Sequence, residues 1–366
     1  MIPSSSLPSE TNGRFAAVYR MLDDAIATGA FPGCAFGVLA GGEVVLQDAL
    51  GRFTYEPEAP AVTPETVYDV ASLTKVLATT AAAMLLVQRG QLDLDTPLGE
   101  LLPGFVVGRE RGSNAHCVKI RHLLAHNSGL PGYVEFFRTA QTPVELFRAC
   151  LELPLQADPG ARAEYSDPGF ILLGKALEVC TGEPLDCWVA REVCSPLALT
   201  ATRFCPSLSS RAAIPPTEED RGLRLRRIQG EVQDENAFVL GGVAGHAGIF
   251  SNVPDLLRFA QEALRAFDGS RSLFEPKVVK IFAGRQSPAG SSRALGWDTP
   301  SENSSAGRFF SPRSIGHLGF SGCSLWIDPE QSVAVALLSN RTWPDRQNQL
   351  IRRVRPAFHD AVRSVL

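Results

Sequence analysis

The sequence predicts an α+β protein whose antiparallel sheet is built from both ends of the chain and covered by helices. Three observations lead to this fold class. A hairpin signal lies before residue 60, strand signals return only after residue 313, and helical patterns dominate between about 61 and 244. A chain of 366 residues is also long for one minimal core. We therefore expect a sheet domain from residues 1–60 and 245–366, with a mostly helical domain, residues 61–244, inserted into it.

The individual elements follow from hydrophobic periodicity and turn residues. Residues 14–29 predict an amphipathic helix, and CAFGVLAGGEVVLQDALG (34–51) predicts two strands joined at Gly41-Gly42. Further helices are predicted at 72–89, 142–152, 168–181, 184–192 and 253–267. The later strands are SIGHLG (314–319), CSLWID (323–328) and SVAVALLSN (332–340). A last helix at about 344–364 should be interrupted or kinked by Pro356.

Composition argues against several classes of function. The formal net charge of -4 gives no electrostatic reason for a nucleic-acid partner or an anionic membrane surface. No apolar run reaches the ~20 residues that span a bilayer. The eight cysteines include no Cys-x-x-Cys pair, so zinc spacing is absent, and we expect no metal and no cofactor. The start, MIPSSSLPSETNGRF, lacks the features of a secretion signal, which predicts a cytoplasmic protein, or a periplasmic one if a signal peptide has been removed.

The first candidate site is the pair Ser72 and Lys75 in VYDVASLTKVLATTAAAMLLVQRG (67–90). The residues from Leu73 to Val87 are nearly all apolar, Ala or Thr, which is typical of an enclosed helix. A lysine there is costly to desolvate unless it has a hydrogen-bonding or charged partner, or a functional role. Because residues i and i+3 share a helix face, the Lys75 ammonium, or its neutral amine if burial lowers its pKa, can reach the Ser72 hydroxyl. The alternative is a capping serine followed by a lysine that extends to solvent.

The second candidate lies in AEYSDPGFILLGKALEVCTG (163–182). Asp167-Pro168 predicts a helix start with Asp167 as the N-cap, which places Tyr165 on the loop just outside, where its phenol can face a cleft. The alternatives are a simple cap for Asp167 and an amphipathic aromatic at a domain interface for Tyr165.

The third candidate is SIGHLGFSGCSLWIDPE (314–330), where a histidine and two glycines stand on a strand. Glycine in a strand often marks a place where a ligand or another backbone comes close. His317 would then lie beside that ligand or backbone. The alternative is a structural histidine.

Together these three motifs resemble those of a known family. ASLTK, YSD and HLG, in this order, resemble the Ser-x-x-Lys, Tyr-x-Asn and Lys-Thr-Gly motifs of the serine β-lactamase and penicillin-binding-protein superfamily. Within that superfamily the sequence resembles the class C β-lactamases and their esterase-like relatives. The segments GQLDLDTPLGELLPGF, IRHLLAHNSGLPGY, DENAFVLGGVAGHAGIF and GHLGFSGCSLWIDP are similar to the same family, so the likeness runs from about residue 15 to 345.

The resemblance implies acyl transfer through a covalent acyl-enzyme. Ser72 matches the nucleophile, and Lys75 and Tyr165 match the pair that shares general-base work. The oxyanion hole would consist of the backbone N–H groups of Ser72 and Phe320. His317 stands where β-lactamases keep a lysine, and we expect it to retain a hydrogen-bond donor, as esterase relatives commonly have histidine there.

Two further positions belong to the expected substrate cleft. Gly319 closes the HLG motif, and His246 lies in a glycine-rich segment that borders the cleft in the family, so both are expected to contact substrate. His122 and His126 have the i, i+4 spacing of zinc-binding helices, but no Glu stands beside the first and no third ligand is evident.

Departures from the family motifs indicate the reaction. Asp167, which is expected to contact substrate in place of the family's asparagine, loses the amide donor and would add negative charge near Lys75. Leu318 lacks the hydroxyl of the usual threonine. Because these changes, with the loss of the lysine, weaken the grip on a β-lactam carboxylate, we expect hydrolysis of small carboxylic esters. The alternatives are weak β-lactamase or D,D-peptidase activity, acyl transfer to an alcohol or amine, and a catalytically silent binding module. The expected partner is a small-molecule ester or amide, and the sequence leaves the oligomeric state open.

Overall fold

The computed structural model describes residues 11–366. The first ten residues, on which most of the prediction about a secretion signal rests, lie outside this range. The helices are α1 Thr11–Arg14, α2 Ala16–Ala27, α3 Ala81–Gln88, α4 Leu98–Leu101, α5 Ile120–Leu124, α6 Pro143–Leu151, α7 Asp167–Thr181, α8 Leu185–Val189, α9 Glu235–Val239, α10 Val253–Asp268, α11 Pro276–Ala283 and α12 Ile351–Arg363. The strands are β1 Gly33–Ala40, β2 Glu43–Gly51, β3 Tyr68–Asp69, β4 Arg203–Phe204, β5 Pro216–Asp220, β6 Arg226–Gln229, β7 Ile249–Ser251, β8 Ile315–Leu318, β9 Ser324–Asp328 and β10 Val333–Ser339.

The main sheet has five antiparallel strands in the order β2-β1-β10-β9-β8, so strands from the two chain ends meet at its centre. Cys34 pairs with Ser339 and Ala40 with Val333, which joins the N-terminal hairpin to the last strand. The predicted α+β class and the sheet formed from both chain ends are therefore confirmed. The hairpin turn at Gly41-Gly42 is confirmed as well, because both glycines have positive φ angles of 58° and 85°.

Strand alternation explains why the central strands are buried on both faces. Along β10, Val335 and Leu337 pack in a cluster with residues of α2 and α12, such as Leu22 and Phe358. The intervening side chains of β10 belong to the larger cluster that also contains α10. Helices therefore cover both faces of the sheet, as the burial of a central strand requires.

The helical part of the chain differs from its prediction in detail. The predicted 184–192 helix is α8 followed by a π-helical segment, Ala190–Cys194. Four strands, β3 to β6, also lie between residues 61 and 244, where helices were expected to dominate. Each has five residues or fewer, which is too short for an alternating pattern to show in the sequence.

The segment that carries Ser72 and Lys75 is a composite helix. The 3₁₀ turn Ala71–Leu73 leads into a π-helical segment, Lys75–Thr80, and then into α3. By length and composition Ala71–Gln88 could cross a membrane, but 83% of it is buried inside the protein, which is typical of a core helix. The predicted helix at 72–89 is thus present, although only its second half is α-helical.

The last helix is shorter than predicted. It begins at Ile351 and continues through Pro356 to Arg363, so the predicted start near 344 is wrong and the proline does not interrupt the helix. Arg352, the residue whose carbonyl would bond the position of Pro356, is exposed, so water can take the place of the missing N–H. Residues 344–350 remain a loop, because Arg341 Nη1 donates to the carbonyls of Arg346 and Asn348 at 2.9 and 2.8 Å.

Candidate active site

Residues of all three candidate motifs line one cavity of about 1000 Å³. Ser72 comes from the 3₁₀ turn before the buried helix, Tyr165 and Asp167 from the start of α7, and His317 from β8. The rings of Tyr165 and His317 have centroids 5.9 Å apart, and the Lys75 ammonium lies 4.7 Å from the Tyr165 ring centroid. Positions that are 245 residues apart in sequence, 72 and 317, therefore meet in one site.

Ser72 lies at the tip of a tight turn that ends β3. Ala71 has a φ of 48°, a left-handed conformation that is uncommon for a residue with a side chain. The buried Asp69 carboxylate supports this turn by accepting hydrogen bonds from the N–H of Ala71 at 2.8 Å and of Gln233 at 2.7 Å. Ser72 is partly exposed while Leu73 on its far side is buried. The turn thus presents the hydroxyl to the cavity.

Lys75 is fully buried and uses its ammonium as a three-way donor. Its Nζ lies 2.7 Å from Asp167 Oδ1, 3.1 Å from Ser72 Oγ and 3.1 Å from the carbonyl of His246. Burial by itself lowers the pKa of Lys75, but the charge of Asp167 and the neighbouring Tyr165 outweigh it, so that this pKa is raised. The alternative of a neutral amine created by burial is therefore wrong for the resting enzyme, because the amine has an anionic partner.

Tyr165 packs against two histidine rings, His126 and His317, in tilted arrangements. Its ring centroid lies 4.5 Å from that of His126, whose Nδ1 accepts a hydrogen bond from the N–H of Ser166 at 2.9 Å. Burial raises the pKa of the Tyr165 phenol; Lys75 and a hydrogen bond with Ser72 lower it, Asp167 raises it, and the net direction is upward. The phenol therefore stays protonated at neutral pH, beside Ser72 and Lys75.

Asp167 is not the N-cap that the sequence predicted. The cap is Ser166, whose Oγ accepts from the N–H of Gly169 at 3.1 Å and donates to the carbonyl of Pro131 at 2.7 Å. Asp167 is instead the first residue of α7. Because the serine satisfies the helix end, the Asp167 carboxylate is free to pair with Lys75.

His317 is a neutral hydrogen-bond acceptor. Its Nδ1 lies 2.9 Å from the carbonyl of Leu318, an acceptor, so Nδ1 carries the ring proton. Burial, with Lys75 and Arg293 nearby, holds the pKa of His317 well below its usual range. The Nε2 atom is buried without a hydrogen-bond partner among the described residues. The expectation that His317 donates a hydrogen bond to substrate is therefore wrong, because this tautomer leaves a lone pair on Nε2.

The turn after β8 places Gly319 and Phe320 against the segment that carries Ser72. A Cβ on Gly319 would lie 2.3 Å from the carbonyl oxygen of Val70, so only glycine fits where β8 approaches the turn that carries Ser72. The N–H of Gly319 donates to the carbonyl of Cys323 at 2.7 Å, whereas the N–H of Phe320 makes no hydrogen bond within residues 11–366. Phe320 lines the cavity, so its free N–H is available there.

Arg355 of α12 fixes the orientation of that N–H. Its guanidinium donates to the carbonyls of Gly319 and Cys323. In a trans peptide the C=O and the following N–H point in opposite directions, so a bond to the Gly319 carbonyl directs the Phe320 N–H the other way. Nothing in the sequence near Arg355 indicated this contact.

His246 contributes its backbone and not its ring. The ring is 1% exposed, and its Nε2 lies 2.9 Å from Asp234 Oδ1. Burial raises the pKa of Asp234, but His246 and further hydrogen bonds lower it to about 2, so the carboxylate is charged. The prediction that the His246 side chain lines the cleft is wrong, since its carbonyl is the group that reaches the site, through Lys75.

Three supporting residues have roles that no sequence pattern indicates: Asp69, His126 as a partner of Tyr165, and Arg355. Asp69 stands only three residues before Ser72, but no local pattern distinguishes a buried turn-supporting carboxylate from an exposed one. The described residues contain no group of three or more His, Cys, Asp or Glu side chains placed to hold a metal ion. His122 accepts from the N–H of Lys119 at 3.1 Å, and His126 serves Ser166.

A serine, a buried lysine and a tyrosine beside an antiparallel sheet define the class of the protein as a serine hydrolase of the β-lactamase and penicillin-binding-protein superfamily. The chain belongs to the Beta-lactamase family, whose model matches residues 18–357.

Curated relatives agree with this assignment. An N-acetylmuramyl-L-alanine amidase of Bacillus subtilis is 30% identical over 361 residues, covering 88% of this chain and 80% of the relative. A protein of Escherichia coli K12, named as a candidate D-alanyl-D-alanine carboxypeptidase, is 32% identical over 306 residues, which cover 76% of this chain and 70% of that protein. Among solved structures, the hydrolase EstCE1, described as having promiscuous acyltransferase activity, has a TM-score of 0.77 at 22% identity, with 96% of this chain and 100% of that chain covered. That last likeness supports the fold.

Proposed function

We propose that the protein hydrolyses small carboxylic esters through a covalent acyl-enzyme on Ser72. The observation that carries the proposal is the position of Ser72, which lies at an accessible turn with its Oγ 3.1 Å from a fully buried lysine ammonium. A buried cation beside a hydroxyl stabilises the alkoxide that attacks an acyl carbon. The fold and family supply a serine hydrolase, and the choice of esters is our proposal.

The residues divide the proton work as follows. Once the Lys75–Tyr165 pair has lost one proton to solvent, it accepts the proton of Ser72 as Oγ bonds to the acyl carbon, and the same proton then goes to the leaving alcohol. The N–H groups of Ser72 and Phe320 receive the oxyanion that forms between these steps. Water repeats the sequence on the acyl-enzyme and restores the serine. Each step uses residues that line or contact the same cavity.

The preference for esters over β-lactams rests on the edge of β8. At neutral pH the buried His317 has no charge and offers only a lone pair, and Leu318 has no hydroxyl. A carboxylate beside this edge would face an acceptor where a cation or a donor is needed. Weak β-lactamase activity and acyl transfer to an alcohol or amine remain lesser variants of the same chemistry.

A second candidate is hydrolysis of an amide in a cell-wall peptide. The names of the two curated relatives, an amidase and a candidate D,D-carboxypeptidase, favour it, at 30% and 32% identity. Both reactions use the same acyl-enzyme, and amides differ in needing stronger protonation of the leaving nitrogen. A Lys75 ammonium bonded to Ser72 Oγ at 3.1 Å is placed to supply that proton.

The test is hydrolysis of p-nitrophenyl butyrate by the wild-type protein and by Ser72→Ala. We expect turnover by the wild type and a fall of at least about 10³-fold in kcat for the variant, because the covalent path is lost. Ser209→Ala, at an exposed serine, is the matched control and should keep wild-type activity.

The same two proteins are then compared on a D-alanyl-D-alanine peptide and an N-acetylmuramyl-L-alanine amide. Turnover of an amide with no ester turnover would replace the first candidate by the second. Equal rates for wild type and Ser72→Ala on every substrate would contradict acyl-enzyme chemistry and leave a binding module of the same fold.

A further inference from the structure

Asp167 places a negative charge in direct contact with the groups that must accept the Ser72 proton. Its Oδ1 lies 2.7 Å from Lys75 Nζ, and the two side chains are 15% and 0% exposed. We propose that Asp167 sets the pH range in which Ser72 can be activated, by holding a proton on the Lys75–Tyr165 pair up to alkaline pH. The inference rests on the proposed acyl-enzyme function and concerns the regulation of the same site by pH.

The titratable groups that face Lys75 from each neighbouring element support this assignment. The start of α7 and the residue before its cap contribute Asp167 and Tyr165, while β8 contributes the neutral His317. His126, which is buried and neutral, packs behind Tyr165.

Two further charges lie beyond this first set. The segment before β7 presents only the His246 carbonyl to Lys75, and Asp234 is paired with the ring of that histidine at 2.9 Å. Arg293 lies over the other partner, 5.1 Å from the Tyr165 ring centroid. Within residues 11–366, Asp167 is therefore the carboxylate bonded to Lys75.

The consequence for proton transfer follows from charge alone. Before Oγ can attack, either Lys75 or Tyr165 must have lost its proton. An anion next to the pair stabilises the protonated form of both groups. The form that can accept the Ser72 proton, in which Lys75 or Tyr165 has lost its own, therefore appears at higher pH than it would beside a neutral side chain. The rise of kcat/KM with increasing pH, which forms the acidic limb of the pH profile, should therefore occur at alkaline pH.

The same charge helps once the reaction has begun. When the Ser72 O–H bond breaks and its proton binds to the pair, Asp167 stabilises the resulting ammonium while the oxyanion lies at the Phe320 turn. The proton leaves again on the departing alcohol, so charge and atoms balance over the cycle. The carboxylate thus lowers activity at neutral pH, and it stabilises the ammonium that later protonates the leaving alcohol.

The decisive experiment is the pH dependence of kcat/KM for Asp167→Asn. The amide has the shape of the carboxylate without its charge, so the pKa of the required base should fall and the acidic limb should move to lower pH by at least about one unit. Asp167→Glu keeps the charge, and its limb should remain close to that of the wild type even if the rate falls. Asp186→Asn, in the first turn of α8, removes one charge away from the cavity and should leave the limb in place.

A second measurement is used if Asp167→Asn hydrolyses the substrate too slowly for a pH profile. The rate at which a fluorophosphonate modifies Ser72 is measured against pH by mass spectrometry, with Ser72→Ala as the blank, and thermal unfolding reports whether each variant is folded. The limb should shift as it does in turnover. Folded Asp167→Asn with the wild-type limb at a lower rate would overturn the inference and reduce Asp167 to a structural role. Absence of labelling and turnover in the wild type would instead overturn the proposed function, and this inference with it.

Discussion

Lys75 is buried in a helix of apolar residues, and its three oxygen partners make this burial tolerable. An isolated ammonium would lose several kcal/mol of hydration there, whereas a bonded pair recovers most of it through the Asp167 charge. Breaking such a pair by removing one partner typically costs about 3–5 kcal/mol, since the other charge is left alone. The lysine therefore stays charged, and its contact with Ser72 is available to catalysis.

Tyr165 offers the sharpest single-residue test of the shared base. We expect Tyr165→Phe to lower kcat by about 10²–10³-fold, because general-base groups contribute on that order. The ring would keep its contacts with His126 at 4.5 Å and with Lys75 at 4.7 Å, so the fold should survive. Initial rates with p-nitrophenyl butyrate and a thermal unfolding midpoint provide the measurement.

The control for that variant is Tyr55→Phe, which removes an exposed hydroxyl bonded to the Gly29 carbonyl at 2.9 Å. It should cost little in either readout. A Tyr165→Phe enzyme with wild-type kcat would show that Lys75 does the proton transfer without the phenol.

At this scale the sequence predicted identities better than chemical states. Ser72, Lys75, Tyr165 and His317 were predicted to share a site because each lies in a short motif, and the structure brings them together at one cavity. The His317 tautomer could not be predicted, since it depends on where the Leu318 carbonyl points. The family resemblance placed the negative charge of Asp167 near Lys75, but it left the protonation state of the amine open, because the contact joins residues 92 positions apart.

Among the elements, the start of α7 links helix stability to the site. Ser166 is 2% exposed and uses its hydroxyl as both acceptor and donor, between the Tyr165 and Asp167 positions. We expect Ser166→Ala to lower the free energy of unfolding by about 1–3 kcal/mol, through a lost cap and an unpaired buried carbonyl. It should also lower kcat, because the residues on either side lose their anchor.

Thr142→Ala is the matched comparison, since Thr142 caps α6 by accepting from the N–H of Glu145 at 3.2 Å but is exposed. Urea unfolding should show a loss of about 1 kcal/mol with activity retained. If both variants kept full activity, the cap at Ser166 would have no role in placing Tyr165 and Asp167.

Long, strongly patterned elements were predicted well, and the short or irregular ones were not. The hairpin, α7 and α10 carry turn residues and apolar periodicity that are visible in sequence. The π-helical segment Lys75–Thr80 has no such signature, and its register depends on contacts such as Thr79 Oγ1 to the Gly245 carbonyl at 2.6 Å. Ser166 rather than Asp167 is the cap of α7, and the pairing of Asp167 with Lys75 has no local signal in the sequence.

For the molecule as a whole, the sheet order brings distant parts of the chain to one cavity. Ser72 follows β3, His317 lies on β8, and the helix whose Arg355 bonds the turn after β8 is the last in the chain. The arrangement was predicted in outline from strand signals at both ends, but a brace between α12 and the turn after β8 requires the three-dimensional packing. The site is therefore as sensitive to the C-terminal helix as to the helix that carries Ser72.

Arg355→Met tests this coupling between chain end and site. Methionine keeps much of the buried aliphatic volume but removes the donors to the carbonyls of Gly319 and Cys323, so the turn that directs the Phe320 N–H should loosen. Because an oxyanion donor acts mainly in the transition state, we expect kcat to fall by about 10-fold or more while KM changes little. Arg353→Met, at an exposed position of the same helix, should leave both constants unchanged. A rise in KM alone would assign Arg355 to substrate binding, and an unchanged kcat in a folded Arg355→Met protein would show that the turn holds its shape without the brace.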